Sequence, residues 1–178
     1  MEKRTVLIVD DESSLLMSLK RVLSEEPYEV LFANSGKQAL EVLQENEVHV
    51  IITDLRMPDM SGVGLLENVR EKYPYIIRLV LSGHTDVKTV LDTINKGVIF
   101  RFIPKPWGCD DELKITIRQA IEYYDLHSDR EMLMGYLEQL AGGTSPENVN
   151  MKLIQALIET RKEHLYEWSQ KCRSIMPA

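Results

Sequence analysis

Five short apolar runs punctuate the first 125 residues: Val6-Leu7-Ile8-Val9, Val30-Leu31-Phe32, Val50-Ile51-Ile52, Ile76 to Leu81, and Ile99 to Ile103. Most are continuous and not alternating, the pattern of strands buried on both faces, as in a parallel sheet. Stretches with helical spacing separate them. Leu15, Leu16, Leu19, Val22 and Leu23 form one stripe, Ala39, Leu40 and Leu43 a second, and Leu65, Leu66 and Val69 a third. Val87, Val90, Leu91 and Ile94 form a fourth, which Gly97 is placed to terminate as a C-terminal cap. Five strand–helix alternations in this length predict a doubly wound α/β domain over residues 1–125.

After Trp107 the pattern becomes wholly helical. From about Asp110 to Leu140 only Gly135 interrupts it, which predicts one long helix. Ala141-Gly142-Gly143-Thr144-Ser145-Pro146 is a stop and a restart, with Ser145 as N-cap and Pro146 at the first helical position. A last helix is predicted from about 147 to 173. Residues 126–178 therefore read as a C-terminal helical hairpin that extends the fifth predicted helix.

Composition narrows the function. Of 178 residues, 44% are apolar and 28% charged, which is globular and not disordered. The net charge of −7 disfavours nucleic acid as a partner. Residues 126–178 carry 6 basic and 7 acidic side chains, so no DNA-reading surface stands out there either. Cys109 and Cys172 form no metal spacing or disulfide framework and read as reduced thiols of a cytoplasmic protein. No apolar run approaches membrane-helix length, and the first residues do not resemble a signal peptide.

The predicted strand ends carry the candidate chemistry. In a doubly wound sheet, ligands bind outside the carboxyl ends of the strands. The first strand runs into Asp10-Asp11, the third into Asp54, the fourth into Ser82-Gly83, and the fifth into Pro104-Lys105-Pro106. Three crowded carboxylates repel one another, and a hard cation such as Mg²⁺ relieves that repulsion. A nearby lysine and hydroxyl suit phosphate oxygens. The chemistry that fits is phosphoryl transfer onto a carboxylate, with Asp54 as nucleophile.

At these residues the sequence resembles the receiver domain of two-component response regulators. The pieces are Val9-Asp10-Asp11-Glu12, Asp54 to Gly62, Leu81-Ser82-Gly83 and Phe102-Ile103-Pro104-Lys105-Pro106-Trp107, and they agree in order and spacing. The resemblance implies a flavodoxin-like sheet of order 2-1-3-4-5 and a role for each matching residue. Asp54 would be the phosphoacceptor. Asp11, Asp54 and the Arg56 backbone carbonyl would ligate Mg²⁺, with Asp10 acting through water. Ser82 and Lys105 would hold phosphoryl oxygens, and the Lys105–Pro106 bond would be cis. Ser82 and Phe102 would act as the switch, remodelling the face of the fourth helix, fifth strand and fifth helix. The phosphoryl donor would be a sensor histidine kinase or a phosphotransfer protein. Such a chain is a phosphoacceptor and not an enzyme beyond its own phosphotransfer and dephosphorylation.

Arg56 and His84 flank the expected path of a hydrolytic water and are candidates for tuning the phosphoryl lifetime. Gly64 departs from the family pattern and is expected to weaken the third helix locally. Gly62-Val63-Gly64 lacks the third glycine of a dinucleotide fingerprint. His127 and His164 lack a phosphorelay context. Phe102 to Trp107 resembles a receiver subgroup linked to cyclic-di-nucleotide phosphodiesterase or AAA-type outputs, but no adjacent His-Asp pair or Walker motif is present. Three outputs stay open. The hairpin mediates dimerisation or partner docking through Leu133, Leu137, Leu140, Leu153, Leu157 and Trp168. The chain is the front of a larger enzyme. Or, least favoured by charge, the hairpin binds DNA.

Overall fold

A computed structural model describes residues 3–83 and 98–141. The chain divides into two compact units, Met1–His127 and Ser128–Ala178. The first contains β1 (Thr5–Val9), α1 (Ser13–Val22), β2 (Glu29–Ala33), α2 (Gly36–Glu45), β3 (Val50–Asp54), α3 (Gly62–Lys72), β4 (Ile77–Ser82) and β5 (Arg101–Pro104). The last described helix, α4, spans Asp110–Ala141. Of the second unit, residues 128–141 are described, and they continue α4. The fourth apolar stripe, the restart at Ser145-Pro146 and the final predicted helix lie outside the described residues.

All described strand pairs are parallel, in the order β2-β1-β3-β4-β5, which is the order the resemblance implied. Strand alternation sorts the apolar runs into two cores. Leu7, Val9 and Ile51 face one layer with Ala39, Leu43, Leu65, Leu66 and Val69. Val6, Ile8, Val50 and Ile52 face the other with Leu19, Leu23, Leu113 and Ile117. Each large side chain so buried contributes about 1.5–3 kcal/mol. The two outer strands depart from the expectation of two buried faces. Glu29 and Arg101 are exposed, and most of β2 is only half-buried, because an edge strand has a neighbour on one side only. The fifth strand also starts later than the apolar run suggests. Val98 and Ile99 pack into the core as irregular chain, tied to β4 by Arg78, whose Nε donates to the Val98 carbonyl at 2.7 Å.

The start of α4 is acidic, with Asp110, Asp111 and Glu112 in its first turn, matching the positive end of the helix dipole. The helix is fastened to the sheet by more than apolar contact. Arg118 donates from Nε and Nη2 to both oxygens of Glu26, each at 2.8 Å. The Glu26 side chain is 4% exposed. A buried carboxylate stripped of its cation is left desolvated and uncompensated. Arg118→Ala should therefore lower stability by about 3 kcal/mol in urea unfolding. Glu26→Gln combined with Arg118→Met should recover most of that loss, because no buried charge is then left unpaired.

Candidate functional site

Each functional side chain stands at, or directly after, the end of a parallel strand. β1 stops at Val9, with Asp10 and Asp11 following, and β3 stops at Asp54 itself. Register brings Asp54 beside Leu81 and Ser82 beside Pro104. Asp10, Asp11 and Asp54 thereby offer carboxylate oxygens that all lie within 4.8 Å of one another. Lys105 Nζ lies 2.5 Å from Asp10 Oδ2 and 3.3 Å from Asp54 Oδ2. Backbone amides orient the same carboxylates. The Leu55 N–H donates to Asp54 Oδ1 at 2.8 Å, and the Glu12 N–H to Asp10 Oδ1 at 3.0 Å.

Exposure grades the three acids. Asp10 is buried, the Asp54 side chain is 17% exposed, and Asp11 is open to solvent. Burial pushes the Asp10 carboxyl above the usual carboxylate range, and the nearby Asp54 charge adds to this. Hydrogen bonds from Lys105 and the Glu12 amide, with the lysine charge, pull it back only in part. Three oxygen donors with two negative charges left after Lys105 is counted suit a hard divalent cation such as Mg²⁺. The protein's part is to hold those oxygens close together before a ligand arrives.

Ser82 is fully buried, and its Oγ donates to the Gly83 carbonyl at 3.2 Å. The Lys105 N–H donates to the Ser82 carbonyl at 2.7 Å, which ties the lysine to the serine through backbone. The Lys105–Pro106 bond is cis. Phe102 is half-buried against the core layer that includes Leu7 and Ile51. Arg56 is exposed, two residues beyond Asp54. His84 lies outside the described residues.

The loop after Asp54 adds residues that the sequence marks only as part of a motif. Asp59 has φ 66°, in the left-handed region, and the Met60 N–H donates to the Pro58 carbonyl at 2.7 Å. This tight turn carries Met60 onto Gly36, where any Cβ would meet Met60 Sδ at 2.8 Å. Gly62 is more constrained. Its N–H donates to the Leu55 carbonyl at 2.9 Å, and an added Cβ would stand 1.9 Å from the Asp54 carbonyl oxygen. The signal in the sequence is a glycine eight residues after the acid, but only the folded loop shows why it is needed. Gly64 differs. Its N–H donates to Oγ of the N-cap Ser61 at 3.2 Å, and a Cβ there would meet only that oxygen, at 3.4 Å.

Gly62→Ala should lose about 3 kcal/mol in urea unfolding because the Asp54 backbone has to move. Gly64→Ala, in the same helix turn, should be neutral or gain up to about 1 kcal/mol. For Asp10, the folded pKa lies above the unfolded one, so its ionised form costs stability, and the cost appears as pH rises through the carboxylate range. Asp10→Asn should raise the stability of the metal-free protein at neutral pH, read as a higher midpoint in urea unfolding. The same variant should weaken Mg²⁺ binding in a fluorescence or calorimetric titration.

Known proteins resemble this chain in sequence and fold. The profile of the response regulator receiver domain matches residues 6–118. The hydrogenase transcriptional regulatory protein HoxA of Cupriavidus necator is 41% identical over 132 residues, covering 74% of this chain and 27% of that protein. The DNA-binding transcriptional regulator NtrC of Proteus hauseri is 32% identical, covering 70% of this chain and 26% of that protein. The chain thus spans about a quarter of the length of these curated relatives. Among solved structures, the signal receiver domain of an HD domain-containing protein from Pseudomonas fluorescens Pf-5 superposes with TM-score 0.66. It is 37% identical and covers 71% of this chain and 99% of its own. NtrX from Brucella abortus gives TM-score 0.69 at 25% identity, covering 74% of this chain and 30% of its own. No helix among the described residues is long and apolar enough to cross a membrane. With the profile spanning most of the chain and the sheet order in agreement, the chain belongs to the response regulator receiver domain family.

Proposed function

We propose that this chain is a two-component response regulator that accepts a phosphoryl group on Asp54 from a histidine kinase or phosphotransfer protein in the cytoplasm. The observation that carries the reading is the Asp10–Asp11–Asp54 cluster with Lys105 bridging two of its members. A carboxylate oxygen of Asp54 attacks the phosphorus of a donor phosphohistidine. The P–N bond breaks, its electron pair goes to the imidazole nitrogen, and a P–O bond forms on Asp54. The backbone-held Oδ1 leaves Oδ2 as the attacking oxygen. Lys105 already touches Oδ2 and follows the charge onto the phosphoryl group. Asp11, Asp54 and the Arg56 carbonyl would hold Mg²⁺, with Asp10 acting through water, and the bound ion would neutralise phosphoryl charge.

Ser82 and Phe102 read the result. The Ser82 hydroxyl leaves the Gly83 carbonyl for a phosphoryl oxygen, Phe102 turns inward, and the surface around β5 and α4 changes. Arg56 and His84 set how fast water reaches the phosphorus of phospho-Asp54, where its attack releases phosphate and restores the Asp54 carboxylate. Residues 126–178 convert the change into dimerisation or partner docking. A second reading is favoured by the relatives, since HoxA and NtrC are transcriptional regulators much longer than this chain. In it, the chain is the regulatory front of a longer protein, as the receiver-like part is in those DNA-binding and transcriptional regulators.

Incubation with phosphoramidate and Mg²⁺ should add one phosphoryl group to the intact mass, and Asp54→Asn should abolish the addition. Phosphorylation that persists at another residue in the variant would overturn the assignment. Light scattering with Mg²⁺ and beryllofluoride should then show a mass increase that Asp54→Ala lacks. A constant monomer would refute phosphorylation-driven dimerisation while leaving the phosphoacceptor assignment intact.

A further inference from the structure

At the opposite end of the sheet a second polar cluster gathers around His49, the residue before β3. The residue is 3% exposed. Its Nδ1 accepts the Thr5 N–H at 3.0 Å, and its Nε2 lies 3.1 Å from Arg4 Nη1. Its ring meets Tyr124 of α4 edge-on, with centroids 4.9 Å apart. Arg4 also reaches α4. Its Nε lies 2.8 Å from Asp125 Oδ1, and its guanidinium carbon lies 5.4 Å from the centre of the Tyr124 ring. Glu47 Oε1 stands 3.9 Å from Nε2. Three segments remote in sequence thus meet at one imidazole.

We propose that His49 is a proton-operated latch that holds α4 of the receiver unit against the amino ends of β1 and β3. Two donors face the two ring nitrogens, and a neutral imidazole has one acceptor. The Thr5 N–H, a buried backbone donor that cannot turn away, takes it at Nδ1, so Nε2 carries the hydrogen and already meets Arg4 Nη1 donor to donor at 3.1 Å. A second proton can enter only at Nδ1. It would remove the acceptor of a buried amide and set N–H against N–H, leaving Thr5 without a partner. It would also place a positive ring beside the Arg4 guanidinium, the group that joins the sheet to Tyr124 and Asp125. Glu47 and Asp125 pull the other way, and the Tyr124 ring is uncharged at neutral pH. Burial, with Arg4, outweighs both carboxylates and keeps the ring below the usual histidine range.

The sign follows from linkage. The folded ring binds a proton less readily than the unfolded one, so the latch holds fully above about pH 6.5 and loosens as pH falls below that value. The latch opens by displacing Arg4 and exposing the Thr5 amide, which loosens the Tyr124–Asp125 segment of α4.

The test is an NMR pH titration of the full chain. At neutral pH the His49 ring should carry its hydrogen on Nε2, and its midpoint should fall below about 6.5. Thr5 amide protection should drop by up to about tenfold per pH unit below about 6.5. The Tyr124 and Asp125 amides should shift with the His49 midpoint. Among the described residues His127, one turn beyond Tyr123, is the rival histidine, with the Tyr123 and His127 ring centroids 4.5 Å apart. His127→Asn should leave the transition in place, and His49→Asn should remove it. An Nδ1-protonated ring at neutral pH, a midpoint at or above about 6.5, or a transition lost in His127→Asn would each overturn the proposal. The wild-type titration decides even if His49→Asn does not fold.

Discussion

A parallel sheet covered on both faces has no room for polar chemistry along its strands. Its apolar side chains alternate into two cores, and each backbone amide away from the edges is committed to a neighbouring strand. Charged groups can therefore collect only where the strands end. The parallel order sends β1, β3, β4 and β5 to the same edge, so the residues after them converge without any of them being near in sequence. Lys105 and Asp10 are 95 residues apart and form an ion pair there.

That edge is held in a state of unequal charge. Asp10 is buried and Asp11 is exposed, with Asp54 between them and one lysine shared by two of the three. The arrangement costs the metal-free fold some stability, because a buried carboxylate is kept among like charges. Oxygen donors held in a state that is not electrostatically relaxed suit a hard divalent cation. The backbone supports it closely. Leu55 fixes one oxygen of Asp54, and Gly62 presses against the carbonyl of the same residue.

The amino edge follows the same rule with other groups. Arg4, His49, Tyr124 and Asp125 gather where β1 and β3 begin, and they tie α4 to the sheet. The Glu26–Arg118 pair ties the same helix to the turn between α1 and β2. The helix that carries the chain out of the receiver unit is thus fastened by ionic and aromatic contacts as well as by Leu113 and Ile117.

Short-range pattern determined much of this protein. The apolar runs at Val6–Val9 and Val50–Ile52 could only be doubly buried strands, and the stripes at Leu19, Leu43 and Leu66 could only face them. The acids and lysine at the strand ends were legible for the same reason, since a motif at a predicted strand end needs only the strand to be placed. Tertiary structure decided what depends on which strands adjoin. The late start of β5, the half-exposed edge strands and the His49 cluster depend on residues far apart in sequence, and the contact of Gly62 with Asp54 depends on how the loop between them folds back. His49 reads along the chain as one polar residue before an apolar run, and Arg118 as one charge on a helix. Their roles arise from partners 44 and 92 residues away, which no local periodicity encodes.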